Sequence, residues 1–549
     1  IARMAQGIHP RFIHHVFPLN HPRYSMSMPH HQKQRYHAIA VLLISMTRES
    51  FICEGAGLAK SSIRRERVAA TLSIQNDLET NIAFRSIYKR SAAACTKLTN
   101  RGSYFTAAIT VGSENQEFDV VADTGSNAVI VADCLCNGQS CPETQNCFDE
   151  NRSTSCSVNR SADGRVPVVQ MTFGSGQIAS MIASDVVAVG SRRVMMTDAL
   201  LLMVGRALSF NGTFDGILGL GIPLQDDDES KIKHNQTGQD YHVTSFLERD
   251  RIERFSMCFV DNGNGTLRLD TPPLQTPLRS VGKNHWGLDF RGISIGADSH
   301  EGQAIFCKDL PAGQTTPCGA IPDSGTTLII GPQEQLRVLY AQLCDAWDRC
   351  STAFTDPTKF PGKKKEEVFL LVLLACSEWM DNSTNNPLAE LPPLKFHLRD
   401  TNSVQKELTF MGNDYIEVGL EAGSEFLSSR TTHTQESLAE FIERHREYLG
   451  TPHLFCIPAM GSGMPMVTQA NGPIWILGTP LFYAYQVEYN LQPPSMSFQK
   501  ADCDPCSAEL VEVELEHTGS ATLGRSVAKS PRQIRGHARW PTSPFVGPL

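Results

Sequence analysis

The chain has 549 residues, 41% apolar and 19% charged, which suits two or three cored domains of ordinary soluble composition. Its net charge is −9, with no basic stripe interleaved with aromatics, so nothing points to nucleic acid as a partner. No apolar run approaches the ~18–20 residues of a membrane-spanning helix, and the longest, Val368 to Cys376, is core-sized.

The charge is unevenly spread. Residues 1–50 carry six basic and one acidic side chain, and residues 54–101 carry nine basic and four acidic, so a leader of about +10 precedes a body of about −19. Sixteen cysteines, nearly all beyond residue 130, fit an oxidising compartment. Six Asn-x-Ser/Thr sequons, at Asn151, Asn159, Asn211, Asn235, Asn264 and Asn382, are compatible with glycosylation there.

Residues 1–37 are rich in His, Pro and Met and have no apolar period. Lys33 and Arg35 precede Ala38–Met46, an apolar stretch of signal-peptide length, and small residues follow at Gly55, Ala56, Gly57 and Ala59. Arg48 and Glu49 lie between that stretch and any cleavage site, so residues 1–60 read as a leader with a secretory signal, a signal anchor or spurious upstream translation being the alternatives. Residues 61–101 form a basic, partly helical-looking segment. From Tyr104 the text turns to short strands: Tyr104–Val111 and Phe118–Ala122 are β-branched or aromatic runs separated by turn residues such as Gly112 and Asn115. Strands of this kind continue to about Phe498. The clearest helix is Gln333–Arg349, directly after Gly331-Pro332. The region is mostly β with a few helices. Ser507–Leu549 lacks a core pattern and reads as a disordered tail.

Two blocks recur in the β region. Val120-Val-Ala-Asp-Thr-Gly-Ser126 is followed by Ile217-Leu218-Gly219, and Ala320-Ile-Pro-Asp-Ser-Gly-Thr-Thr327 by Ile476-Leu477-Gly478. One supersecondary unit is present twice. A strand ending in Asp-Thr/Ser-Gly delivers a carboxylate on a tight turn; glycine permits close backbone approach and the hydroxyls can bond across to the other copy. Two such turns face to face bring Asp123 and Asp323 together. Like charges about 3 Å apart cannot both ionise, so the pair shares a proton. One member can then act as base on a water while the other, protonated, polarises a carbonyl.

These residues resemble the pepsin-like aspartic proteases over about Tyr104 to Cys503. Tyr104–Gly112, with Gln116 and Phe118, looks like the opening strands, and Met171-Thr-Phe-Gly-Ser-Gly176 looks like the flap hairpin. Phe255–Phe259, Leu391–Phe396, Asp414–Ile416 and Trp475–Pro480 follow in the expected order. The resemblance implies an all-β, bilobal fold, with a first lobe over 102–275, a second over 276–502 and a tail over 503–549. It implies an aspartic endopeptidase of acidic optimum, cutting extended peptides near large apolar residues, without cofactor or metal. The chain would be made as a monomeric zymogen, with 61–101 as a propeptide laid over an acidic cleft and Lys89-Arg90 as a processing site. Its destination would be the secretory pathway, leading outside the cell or to an acidic vacuole or lysosome. The rival is a non-catalytic binding protein using the same cleft; the intact aspartates and hydroxyl neighbours favour the enzyme.

By the same resemblance, Thr124 and Ser324 grip each other beneath the dyad, while Ser126 and Thr326 bond its outer oxygens. Gly125, Gly325, Thr327, Phe173, Gly174 and Ser175 would meet the peptide. Two departures stand out: the flap carries Phe173 where the family has Tyr, and Ile130 stands where it has Trp. Both ends of a hydrogen bond that positions the flap are missing together. The resemblance also pairs Cys307 with Cys318 and Cys376 with Cys456. Cys134, Cys136, Cys141, Cys147 and Cys156 would form a bridged loop with one cysteine over, and no His follows at zinc-finger spacing. Cys344 and Cys350 would close a local loop, and Cys503 and Cys506, a lone CxxC, would form a local or structural pair.

Overall fold

The structure is a computed structural model and describes residues 94–136, 146–161, 163–173, 176–208, 214–223, 231–233, 240–260, 263–380, 387–400, 404–420, 441, 443–444, 454–463 and 466–506. The expected leader, the basic segment as far as residue 93, the tail from 507, and Cys141, Gly174 and Ser175 lie outside the described residues.

Strand Phe105–Val111 turns at Gly112 into strand Gln116–Asp123, with Val111 opposite Gln116. Gly112 has a φ of +87° and Asn115 of +54°, a backbone region that these two residue types enter at low cost. Strand Gly216–Gly219 then lies parallel to Gln116–Asp123, with Asp123 opposite Gly219, and antiparallel to Val129–Ala132. Both short strands are buried along their whole length, as strands covered on two faces must be. Their side chains alternate between two apolar clusters. Val120, Ala122, Val129, Val131 and Leu218 face the main core, whereas Val121, Ile130 and Ile217 face a smaller one that also holds Phe173.

The second lobe repeats the arrangement. Strand Gly472–Leu477 runs parallel to Cys318–Pro322, which leads to Asp323, and antiparallel to Ile329–Gly331. These strands belong to an 8-stranded sheet, while the first lobe lies in a 14-stranded one. The larger sheet also takes in Gln486–Leu491 and Pro494–Gln499 from the end of the chain, with Met257 opposite Val487. The protein is two-lobed and mostly β.

The helical layer belongs to the second lobe. Helix Gln333–Ala346 follows Pro332 and ends at Trp347, where a second helix, Asp348–Thr355, begins. The single helix expected over 333–349 is thus broken near its end. Helix Lys365–Leu374 packs against the first of these. Its residues from Val368 to Leu374 are all buried, so it has no polar stripe and its sequence has no helical period. The Lys363–Glu367 charge run forms its entry: Glu367 accepts from the Lys364 backbone N–H at 3.0 Å, and Lys365 pairs with Asp345 at 2.5 Å.

Two expectations need correction at the chain ends. Ala94–Asn100, placed with the propeptide by sequence, is a strand of the large sheet, pairing with Gly265–Leu269 on one side and Phe105–Val111 on the other. Cys503 and Cys506 do not pair locally. Cys503 bonds Cys258 and Cys506 bonds Cys95, across 245 and 411 residues. The reason is geometric: the segment after the last strand crosses these neighbouring strands, with the Asp504 carbonyl accepting from Thr266 Oγ1 at 2.9 Å and Arg268 at 2.8 Å. Four further bridges join described residues: Cys134–Cys147, Cys307–Cys318, Cys344–Cys350 and Cys376–Cys456. Cys136 is also disulfide-bonded, and Cys156 is buried.

Candidate active site

The two motif turns meet in the interior. Asp123 Oδ1 accepts from the Gly125 N–H at 2.9 Å and its Oδ2 from Ser126 Oγ at 2.5 Å. Asp323 is held in the same way, by the Gly325 N–H at 2.9 Å and Thr326 Oγ1 at 2.6 Å. Below them, the Thr124 N–H donates to Ser324 Oγ and the Ser324 N–H donates to Thr124 Oγ1, each at 3.0 Å. The two hydroxyls pass the bonds on: Thr124 Oγ1 donates to the Pro322 carbonyl at 3.1 Å and Ser324 Oγ to the Ala122 carbonyl at 2.8 Å. These four buried bonds join the strands that carry the carboxylates. Removing one hydroxyl would orphan a buried N–H or carbonyl, at a cost of about 1–3 kcal/mol.

The glycines set the approach. A Cβ on Gly125 would lie 2.9 Å from the Asp323 carboxylate, and one on Gly325 would overlap Asp123 Oδ1. Each aspartate thus packs against the bare α-carbon of the opposite turn. Gly219 and Gly478, at the ends of the inserted strands, are equally tight: a Cβ there would strike backbone at Ala128 and at Leu328.

Burial pushes both carboxyls above the usual carboxylate range. Asp123 is raised strongly, first by desolvation and then by the charge of Asp323, against the opposing bonds from Ser126 and Gly125. Asp323 is raised by desolvation, which the bonds from Thr326 and Gly325 partly offset. The pair therefore holds a proton to higher pH than an exposed carboxylate would, and the two titrate together. Among the described residues no group of His, Cys, Asp and Glu side chains is arranged to hold a metal ion.

Residues 103–353 match the family model described as eukaryotic aspartyl protease. Vacuolar protease A of Neurospora crassa is 28% identical over 251 residues, covering 43% of this chain and 54% of that protein. Pepsin F of Oryctolagus cuniculus is 30% identical over 234 residues, with coverages of 41% and 54%. Cathepsin E of Aquarana catesbeiana is 28% identical over 237 residues, with coverages of 42% and 54%. Residues 103–353 are thus similar to aspartyl proteases of the pepsin type, over somewhat less than half of the chain. It spans about half the length of the curated relatives it matches.

The hairpin expected as the flap pairs Val168–Phe173 with Gly176–Val189, with Phe173 opposite Gly176. Phe173 and Ile130 are both buried in the smaller cluster of the first lobe. The positions that lack the hydroxyl and the indole are filled by apolar packing. Phe173, expected to meet the peptide, is 3% exposed within that cluster. Thr327 likewise turns inward: its hydroxyl donates to the Ser103 carbonyl at 2.8 Å, which ties the second motif to the entry of the first lobe.

Sequence reasoning passed over His285. It sits on the turn between Ser280 and Gly287, where Ser280 Oγ accepts from the Gly287 N–H at 3.1 Å and the Val281 N–H donates to the Gly287 carbonyl at 2.9 Å. The neighbouring Trp286 is fully buried and donates from Nε1 to the Leu220 carbonyl at 3.0 Å, one residue past Gly219. That bond pins the turn to the first lobe and carries His285 Nδ1 to 3.2 Å from the Gly125 carbonyl. A lone His in a loop has no period or spacing to mark it; the adjacent Trp286 was the only available signal.

Proposed function

We propose that the chain is an aspartic endopeptidase that hydrolyses peptide bonds through a water activated by Asp123 and Asp323. The observation that carries this reading is the matched support of the two carboxyls, each with one glycine N–H and one hydroxyl bonded and the opposite glycine against its face. With one proton shared, the ionised member takes a proton from water as the water attacks the amide carbon. The protonated member donates to the carbonyl oxygen, giving a neutral tetrahedral diol. Return of a proton to the nitrogen then breaks the C–N bond. No covalent enzyme intermediate forms.

An acidic optimum follows from the need for that shared proton. Six disulfides with both partners among the described residues support an oxidising, secretory-pathway destination. Among the described residues no helix is long and apolar enough to cross a membrane. The blocking role proposed for the basic segment falls on its part before Ala94, since Ala94–Asn100 is built into the sheet.

The test is digestion of a denatured protein at about pH 3–6 by the acid-treated full chain, with and without a statine inhibitor. Inhibitable cleavage is expected. Statine binding without cleavage at any pH would replace this reading with the binding protein, for which the burial of Phe173 and Ile130 in one apolar cluster is the favouring observation.

A further inference from the structure

We propose that His285 is a positioning residue of the dyad: it fastens the Asp123 turn to the second lobe through the Gly125 carbonyl and, when protonated, sets a positive charge beside Asp323. The inference rests on the reading of Asp123 and Asp323 as the catalytic pair.

The geometry supplies the fastening. Gly125 has two jobs in one residue: its N–H bonds Asp123 Oδ1, and its α-carbon faces the Asp323 carboxylate. Its carbonyl points the other way, to His285 Nδ1 at 3.2 Å. A carbonyl accepts only, so Nδ1 carries the hydrogen. The ring gains or loses its second proton at Nε2, and the Gly125 bond persists in both forms. Protonation therefore changes the charge of the site without changing its anchoring.

The surroundings decide what that charge does. Asp323, on the second-motif turn, is the charged group acting on the ring, and it favours the protonated form. Asp123, on the first-motif turn, is coupled to it. Behind Trp286, strand Gln486–Leu491 brings the Tyr489 phenol, kept neutral far above its usual range by burial. Lys283, on the same turn as His285, is exposed. Desolvation wins for the imidazole and holds it below its ordinary value, so it is neutral at pH 7 and charges on acidification. By linkage a cation beside Asp323 opposes complete protonation of the pair. The one-proton dyad then survives to lower pH than burial alone would allow.

Two measurements test this on the full chain. In the first, pH profiles of kcat/KM compare wild type with His285→Gln, which can still donate to the carbonyl, and His285→Ala, which cannot. The acid limb should move upward by about half a pH unit or more in both variants. His285→Ala should also lose about 2–10-fold in kcat, and His285→Gln should recover most of that loss. Superimposable acid limbs in wild type and His285→Gln would overturn the inference. In the second, NMR titration of the His285 ring, assigned by its loss in His285→Gln, compares wild type with Asp323→Asn. The midpoint should fall by about half a pH unit or more without the carboxylate, and an unmoved midpoint would overturn the proposal. This second arm needs no turnover. A chain that cleaves nothing would sink the protease reading while leaving the coupling of His285 to Asp323 measurable.

Discussion

The two motif turns are near copies in their bonding and unlike in their surroundings. Around each carboxyl the pattern is the same: glycine N–H to Oδ1, hydroxyl to Oδ2, and a reciprocal bond to the opposite turn. One shell further out they diverge. The first lobe lays a β-hairpin and an apolar cluster around its motif, with Phe173 and Ile130 inside. The second lobe backs its motif with helices Gln333–Ala346 and Lys365–Leu374, and the turn bearing His285 precedes its first long strand, Leu288–Ile295. Chemistry that needs a matched pair constrains the first shell alone; the outer shells are free to differ so long as they hold the turns still.

The harshest way to break the symmetry is to neutralise one member. Asp123→Asn or Asp323→Asn should each lower kcat by at least about 10³-fold, because neither carboxyl can be base and acid at once. Steady-state assays on both variants check it, and substantial activity in either would remove the dyad. Next come the glycines. Gly325→Ala should cost about 10²-fold in kcat and Gly125→Ala somewhat less. The added methyl overlaps Asp123 Oδ1 in the first case but lies 2.9 Å from the Asp323 carboxylate in the second. Circular dichroism should show both variants folded; equal, small losses would mean that the turns yield easily.

A third comparison concerns an acid outside the pair. Asp133 is buried in the first lobe, and desolvation, with Glu150 and Asp149 nearby, pushes its carboxyl up to about 7. Its folded value exceeds its unfolded one, so the unfolded chain releases this proton first. Stability then falls as pH rises from about 4 to 7, and the full penalty applies above that. Asp133→Asn keeps an acceptor for the Leu135 N–H and should raise stability by about 1–2 kcal/mol at pH 8 and by almost nothing at pH 4. Urea melts at the two pH values decide it; an equal gain at both would deny the titration.

The smallest effect probes the flap. Phe173→Tyr puts a hydroxyl into an apolar cluster, and Ile130→Trp overpacks a fully buried site by about 1–3 kcal/mol. If the two new groups bond, the double variant should beat the sum of the singles by about 0.5–1.5 kcal/mol in kcat/KM. Strict additivity would show that this flap works by packing alone.

The dyad was legible because its motif occurs twice, each with its downstream aliphatic-glycine partner, and the strand pairings Asp123 to Gly219 and Pro322 to Leu477 explain that recurrence. What escaped was information without local pattern. Helix Lys365–Leu374 is apolar on every side, so it offered length but no period. Cys503 and Cys506 looked local since spacing favours near neighbours, yet the fold carries them to Cys258 and Cys95. The burial of Thr327 and Phe173, and the bond from Thr327 to the Ser103 carbonyl, likewise had no local signal.

Those two distant disulfides have a topological consequence. The Cys95–Cys506 bond closes the chain between them into a covalent ring, and Cys258–Cys503 adds a chord across it. Severing a ring once leaves it in one piece. With the chord, two cuts, one on each side of Cys258, still leave three segments bound together. A molecule nicked in both lobes would migrate at undiminished mass on a denaturing gel until a thiol was added, and its fragments would part only then. Trimming ahead of Cys95 is the one kind of cleavage that can shed chain from the front of this molecule without first opening a disulfide.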